Sequence, residues 1–163
     1  MAGTGRGPRG FRLRRAALSM TIRPVLIRAA PGCVAYNGIS YLAPALAGHL
    51  GYASLANEAG QYTLPSAAAI QASVARFVSL TPPSETISII DGPAATGYPI
   101  VNYEYAVVKS DQPDAAKASE IKAFLRWVIT TGNEAAYVDT VGFQPLPKAL
   151  VTLGEQQIAE IGG

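Results

Sequence analysis

Apolar positions recur along this chain at two periods, a strand-like alternation and a helical spacing of three to four, and the two take turns from Gly32 onward. Val34 to Ile39 is short, β-prone and bounded by glycine, which predicts a strand ending in a turn. Ser40 to Leu50 reads as a short helix in spite of Pro44, and Leu55 to Leu64, with Asn57 and Gly60 inside it, as a small ribbon. Pro65-Ser66 opens a clearer helix: Ser66 is the cap, and Ile70, Val74, Phe77 and Val78 form one apolar face that should stop before Pro82-Pro83. Ile87 to Ile90 is a strand of the buried type, and Asp91-Gly92-Pro93 turns the chain through a loop holding Gly97. The longest expected strand is Ile100 to Val108, with Val101, Tyr103, Tyr105 and Val107 on one side and Asn102, Glu104 and Ala106 on the other. The last third predicts helices over 113–131, 133–140 and 147–161. In the first of these, Ile121, Phe124, Leu125 and Val128 make the buried stripe. Gly132 and Gly142 suit positions beyond helix ends where φ turns positive, and Pro147 suits the first turn of the final helix.

Composition narrows this mixed α/β picture. The chain has 163 residues, which against roughly 100–200 per domain allows one domain or two incomplete ones. Apolar residues are 49% and charged residues 15%, which excludes a disordered polyelectrolyte. Alanine accounts for 28 positions, and methyl groups bury little area each, so the core should be thin. No run is long and apolar enough to span a bilayer, because Arg23 and Arg28 break the nearest candidate. A single cysteine, Cys33, and a single histidine, His49, argue against an internal disulfide, a multi-cysteine zinc site and a paired-histidine metal site. No cofactor is implied.

Charge divides the chain. Residues 1–30 carry seven arginines and no acid, whereas residues 31–163 carry six basic and eleven acidic groups, a net −5 beneath the overall +2. Three readings of this head stand: a targeting peptide, a nucleic-acid arm, or a leader unrelated to the fold. Arg14-Arg15 and the approach Ala30-Pro31-Gly32-Cys33 suit export, but Arg23, Pro24 and Arg28 interrupt the apolar stretch a signal needs. A nucleic-acid arm would carry aromatics beyond Phe11 and continue into a basic groove, so no nucleic-acid partner is expected. The leader reading, disordered over 1–30, is preferred.

The sequence offers little catalytic chemistry. It has no Gly-x-Ser-x-Gly elbow, phosphate-cradling Gly-rich loop or His-Glu-x-x-His pair, and no enzyme is expected. His49 reads as a solvated or capping residue at a helix end, and Cys33 as a small structural side chain with no base beside it. Asp91 and Glu104 flank one loop and could act as an acid pair only within about 5–10 Å of each other; a turn aspartate and an exposed strand glutamate are the simpler roles. Asp91 to Gly97 is rich in small residues and could form an anion nest, though an ordinary turn is the simpler reading.

Five ordered blocks then carry a resemblance: Gly32-Cys33-Val34-Ala35-Tyr36-Asn37-Gly38-Ile39-Ser40, Ile89-Ile90-Asp91-Gly92-Pro93, Gly97 to Val108, Phe124-Leu125-Arg126-Trp127, and Phe143-Gln144-Pro145-Leu146-Pro147. Together they resemble the C-terminal part of the substrate-binding protein of phosphate ABC transporters, over roughly Pro31 to Ile161. The resemblance implies an α/β, type II periplasmic-binding-protein fold, here incomplete. Residues 31–98 would finish one lobe and 99–163 would return to the other. It also implies inorganic phosphate as ligand, ABC permease subunits as partners and an extracytoplasmic place. Such proteins hold phosphate with Ser and Thr hydroxyls, helix N-terminal amides, an arginine and an aspartate. Their Ser-Gly-Thr loop with an arginine shortly upstream has no counterpart here, so no phosphate-binding residue is carried over. Neither Ala94-Ala95-Thr96-Gly97 nor Thr130-Thr131-Gly132 is a substitute. The alternative is a non-binding fragment or interaction remnant. Because incomplete lobes leave apolar faces open, self-association is expected.

Overall fold

In the computed structural model, which describes Val34 and residues 36–162, helix predominates over a small sheet. The leader 1–30 and Cys33 lie outside the described residues. The strand expected over 34–39 is not formed: residues 36–38 take no regular structure, and Ile39–Tyr41 wind into a 3₁₀ turn. A strand is held by ladder bonds to a neighbour, and Tyr36, 95% exposed, has none alongside it among the described residues. The turn feeds directly into α1, Leu42–Ala47, shorter than the helix expected over 40–50.

The ribbon forms where it is expected. β1 (Leu55–Ala56) and β2 (Tyr62–Thr63) run antiparallel, with Leu55 opposite Thr63 and Ala56 opposite Tyr62. Gly60, at φ +74°, lets the intervening turn close, and its N–H donates to the Asn57 carbonyl at 2.8 Å. α2, Ala67–Ala75, begins at the expected cap, where the Ser66 hydroxyl accepts from the Ala69 N–H at 3.2 Å. It ends sooner than its apolar spacing suggests. Thr81 precedes a proline and is extended, so the chain unwinds through a 3₁₀ turn at Val78–Leu80 and leaves Phe77 and Val78 beyond α2.

The last third is helical as expected: α3 (Ala115–Ile129), α4 (Ala135–Val138) and α5 (Lys148–Ala159). The Asp114 carboxylate caps α3, accepting from the Ala116 N–H at 2.8 Å. The buried stripe is rotated from the expected one. Phe124 is 62% and Val128 39% exposed, while Ala118 is buried and Ile121, Leu125 and Ile129 are partly covered. The same Ile121 and Leu125 fit either stripe at helical spacing; α5 decides between them by packing on α3 with Gly154 close to the Ile129 Cδ1. Gly132 departs from expectation too. Its φ is not positive, and its value is space, since a Cβ there would stand 3.2 Å from the Trp127 ring. Gly142 does take the left-handed conformation, at φ +73°. Pro147 occupies the cap just before α5 rather than its first turn, another place where a missing N–H costs nothing.

Neither Ile87–Ile90 nor Ile100–Val108 is a strand in the described structure. Their burial still alternates near the core: Ile89 is fully buried between exposed Ser88 and Ile90, and Val101 is buried beside exposed Asn102. Ile90, expected in a strand of the buried type, is 55% exposed, and beyond Tyr103 the expected alternation is lost, with Tyr105 and Val107 both exposed; a ladder also needs a partner backbone. The buried apolar side chains among the described residues are Ile89, Val101, Leu150, Ile158 and Ile161, with Ala69, Ala94 and Ala118, so alanine does thin the core. At the far end Gly162 bridges back to the residues before α3, donating to the Ser110 carbonyl at 2.7 Å and accepting from the Gln112 N–H at 2.9 Å.

Candidate functional site

An open cleft of about 690 Å³ lies between the segment Ser84–Ser88 and the segment Asn102–Val108. Local sequence builds both walls. Pro82-Pro83 forbid continuation of a helix, and the alternation that follows turns Ile87 and Ile89 inward and leaves Ser84, Thr86 and Ser88 exposed. On the opposite wall stand Asn102 and Tyr105, with Val107 and Val108. Tyr105 straps the walls together: its hydroxyl donates to the carbonyls of Glu85 at 2.9 Å and Ile87 at 3.2 Å. Its ring meets Tyr103 edge to face, centroids 6.3 Å apart.

The turn joining the walls is fixed by buried polar side chains. Asp91, at φ +51°, donates its N–H to the Pro99 carbonyl at 2.7 Å. Asn57 is 6% exposed, and its Nδ2 reaches three carbonyls, those of Ala95 at 2.9 Å, Gly97 at 3.1 Å and Ala94 at 3.3 Å. The Thr63 hydroxyl donates to the Gly97 carbonyl at 3.0 Å, and the Ser73 hydroxyl to that of Tyr98 at 2.9 Å. Gly97 admits no side chain, because a Cβ would collide with the Ser73 hydroxyl and stand 2.8 Å from the Ala94 Cβ. Carbonyl oxygens, not amides, therefore converge on the inner side of the Ala94–Gly97 loop. That geometry serves a turn and offers nothing to an anion.

The residues singled out from sequence are not gathered in this cleft. Asp91 and Glu104 are both exposed, and neither lines it. His49 closes α1: it stands in the left-handed region at φ +58°, and its N–H donates to the Leu46 carbonyl at 2.9 Å while the Leu50 N–H reaches that of Ala45 at 3.0 Å. This is the paired bonding of a glycine-type helix stop, made here with histidine. Asn57 and Ser73 carry no signal of this role in the sequence; an asparagine in a ribbon turn gives no sign of the distant carbonyls it will hold.

Electrostatically the cleft is neutral. Its lining supplies hydroxyl and amide hydrogen-bonding groups and apolar surface, with no ionised side chain. Glu85, between the lining residues Ser84 and Thr86, faces α5, with Oε1 3.6 Å from the place of a Cβ on Gly154, and burial pushes its pKa above the ordinary carboxylate value. Burial foremost also raises the Tyr105 phenol. Such a lining can orient a ligand but holds no nucleophile paired with a base. Among the described residues no three His, Cys, Asp or Glu side chains group to hold a metal, and no helix is long and apolar enough to cross a membrane.

No protein-family model matches the chain. It is 30% identical, over 141 residues, to the phosphate-binding protein PstS of Methanocaldococcus jannaschii, across 79% of this chain and 35% of that protein. The chain thus spans about a third of the length of that curated relative. The relationship is distant, and the relative is a binding protein rather than an enzyme.

Proposed function

We propose that this chain is a phosphate-binding component of an extracytoplasmic ABC importer for inorganic phosphate, working with membrane permease subunits. The observation that carries the reading is the identity to PstS across most of the chain. The five ordered blocks in the sequence lie largely in the region of that identity and support the same assignment. On this reading the body is part of a type II periplasmic-binding-protein fold. Residues 31–98 and 99–163 belong to its two lobes, and the turn from Asp91 to Pro99 lies where the chain passes between them. The neutral, hydroxyl-lined cleft is compatible with such a role without supplying the charged groups that grip a phosphate. A second reading, a remnant that does not bind, is favoured by the absence of a Ser-Gly-Thr loop with an upstream arginine.

The role is tested by uptake of radiolabelled phosphate at micromolar concentration, in cells of the source organism lacking the gene and in cells with it restored. High-affinity uptake should fall and recover; uptake indifferent to the gene would remove the assignment. Thermal melting of the purified chain with and without phosphate, sulfate as control, separates the two readings. A ligand at 100 times its dissociation constant stabilises by about 2.7 kcal/mol. A shift with phosphate alone places recognition in this chain, and no shift favours the remnant.

A further inference from the structure

Nine consecutive residues, Ile100–Val108, form no backbone hydrogen bond with any described residue. Their sequence is nevertheless the most strand-like in the chain, and the edge-to-face contact of Tyr103 with Tyr105 shows that alternate side chains share a face. Proteins usually blunt such edges with Lys, Pro, Gly bulges or cover. Here Pro99 and Lys109 stand only at the two ends, and the stretch between them holds no proline, glycine or lysine. Its apolar members remain open: Val107 is 96%, Ile100 61% and Tyr105 45% exposed.

The order of residues names the occupant. Outward from Glu104 the stretch is nearly symmetrical: Tyr103 matches Tyr105 and Val101 matches Val107, Ile100 and Val108 are both β-branched aliphatics, and Asn102 against Ala106 is the one unlike pair. An antiparallel pair of identical strands centred on Glu104 sets tyrosine opposite tyrosine and aliphatic opposite aliphatic at both ends, the pairings that stabilise a ladder. We propose that Ile100–Val108 is a self-pairing strand, by which two copies of this chain associate antiparallel about a two-fold axis at Glu104. The register places one repulsive pair, Glu104 against Glu104 of the second copy, at its centre. Like charges directly opposite oppose a ladder, so Glu104 tunes the dimer toward weakness and reversibility.

The test is sedimentation velocity of the full chain across concentration, with the helical circular dichroism signal as the check that each variant is folded. The wild type should pass from monomer to dimer, and Glu104→Gln should tighten the dimer roughly two- to fivefold by removing the repulsion. In a Cys33→Ser background, Glu104→Cys should oxidise to a covalent dimer, because residue 104 meets its own copy. Ile100→Cys should not, because residue 100 meets 108. A chain monomeric at every concentration overturns the proposal. So does a dimer indifferent to Glu104→Gln, one that crosslinks equally through residue 100, or one dissolved instead by Phe124→Ser on the exposed face of α3.

Discussion

Asn57 illustrates how much one buried amide can hold at this scale. Its two Nδ2 protons serve three carbonyls, and its Oδ1 accepts from the Gln61 N–H at 3.0 Å, so one side chain joins the ribbon to the Ala94–Gly97 loop. Asn57→Ala would strand those carbonyls, and a loss of about 2–4 kcal/mol is expected in urea unfolding; a loss below 1 kcal/mol would mean that water replaces the amide. His49 gives a change in the other direction. It holds a left-handed φ that costs an ordinary residue about 1 kcal/mol relative to glycine, and its side chain is exposed. His49→Gly should therefore raise stability by roughly that amount, and an unchanged midpoint would show that the imidazole contributes contacts of its own. Glu85 predicts a pH dependence. Burial disfavours its carboxylate, so the folded chain holds that proton more tightly than the unfolded one. The penalty is absent below the ordinary glutamate range and complete above the raised value, so this group removes stability as pH climbs between the two. Glu85→Gln should flatten that part of the stability profile, and a profile identical to wild type would exclude Glu85 as its source.

Elements held by their own backbone were legible in the sequence; elements that need a partner were not. α3 and α5 form within two residues of their expected bounds, and α2 begins at its expected cap though it ends early, because caps such as Ser66 and Asp114 act locally. The ribbon was legible for the same reason, its turn being made by nearby Asn57 and Gly60. Ile87–Ile90 and Ile100–Val108 bury Ile89 and Val101, but Ile90 is exposed where a strand of the buried type is expected, the alternation of the longer stretch is lost from Glu104 to Val108, and both pair with nothing described. The phase of α3 was hidden because two stripes through Ile121 and Leu125 are equivalent until α5 arrives. These distinctions are measurable. Phe124→Ser, on the 62% exposed side, should change stability by less than about 0.5 kcal/mol. Leu150→Ala, in the buried face of α5, should cost about 2–5 kcal/mol. Equal costs would restore the stripe read from sequence. In hydrogen exchange at dilutions where the chain is monomeric, the amides of Ile100–Val108 should exchange with little protection while those of α3 and α5 persist; strong protection there would reveal a ladder within a single copy. The candidate site was less legible than the helices. Its serine and threonine wall follows from alternation, but nothing local brings Asn102 and Tyr105 to face it.

For the molecule as a whole, the distribution of charge divides the sequence near residue 30. All the buried apolar side chains among the described residues lie between Ala69 and Ile161, while seven of the thirteen basic residues lie within the first thirty positions. A body that carries its own core and a net −5 from residue 31 onward should not need residues 1–30 in order to fold. Deleting them is expected to leave the unfolding free energy within about 0.5 kcal/mol of the full chain, the range of changes that touch no packed feature. The same deletion should change surface behaviour completely. The full chain has a pI near 8.8, whereas the remainder is a net anion at neutral pH that should bind an anion-exchange resin. Stability and charge therefore give separate readouts of one variant. A retained melt with reversed ion-exchange behaviour supports a leader independent of the fold. A fall of more than about 1 kcal/mol would show that the arginine-rich segment packs against the body, since exposed charges alone contribute less than that.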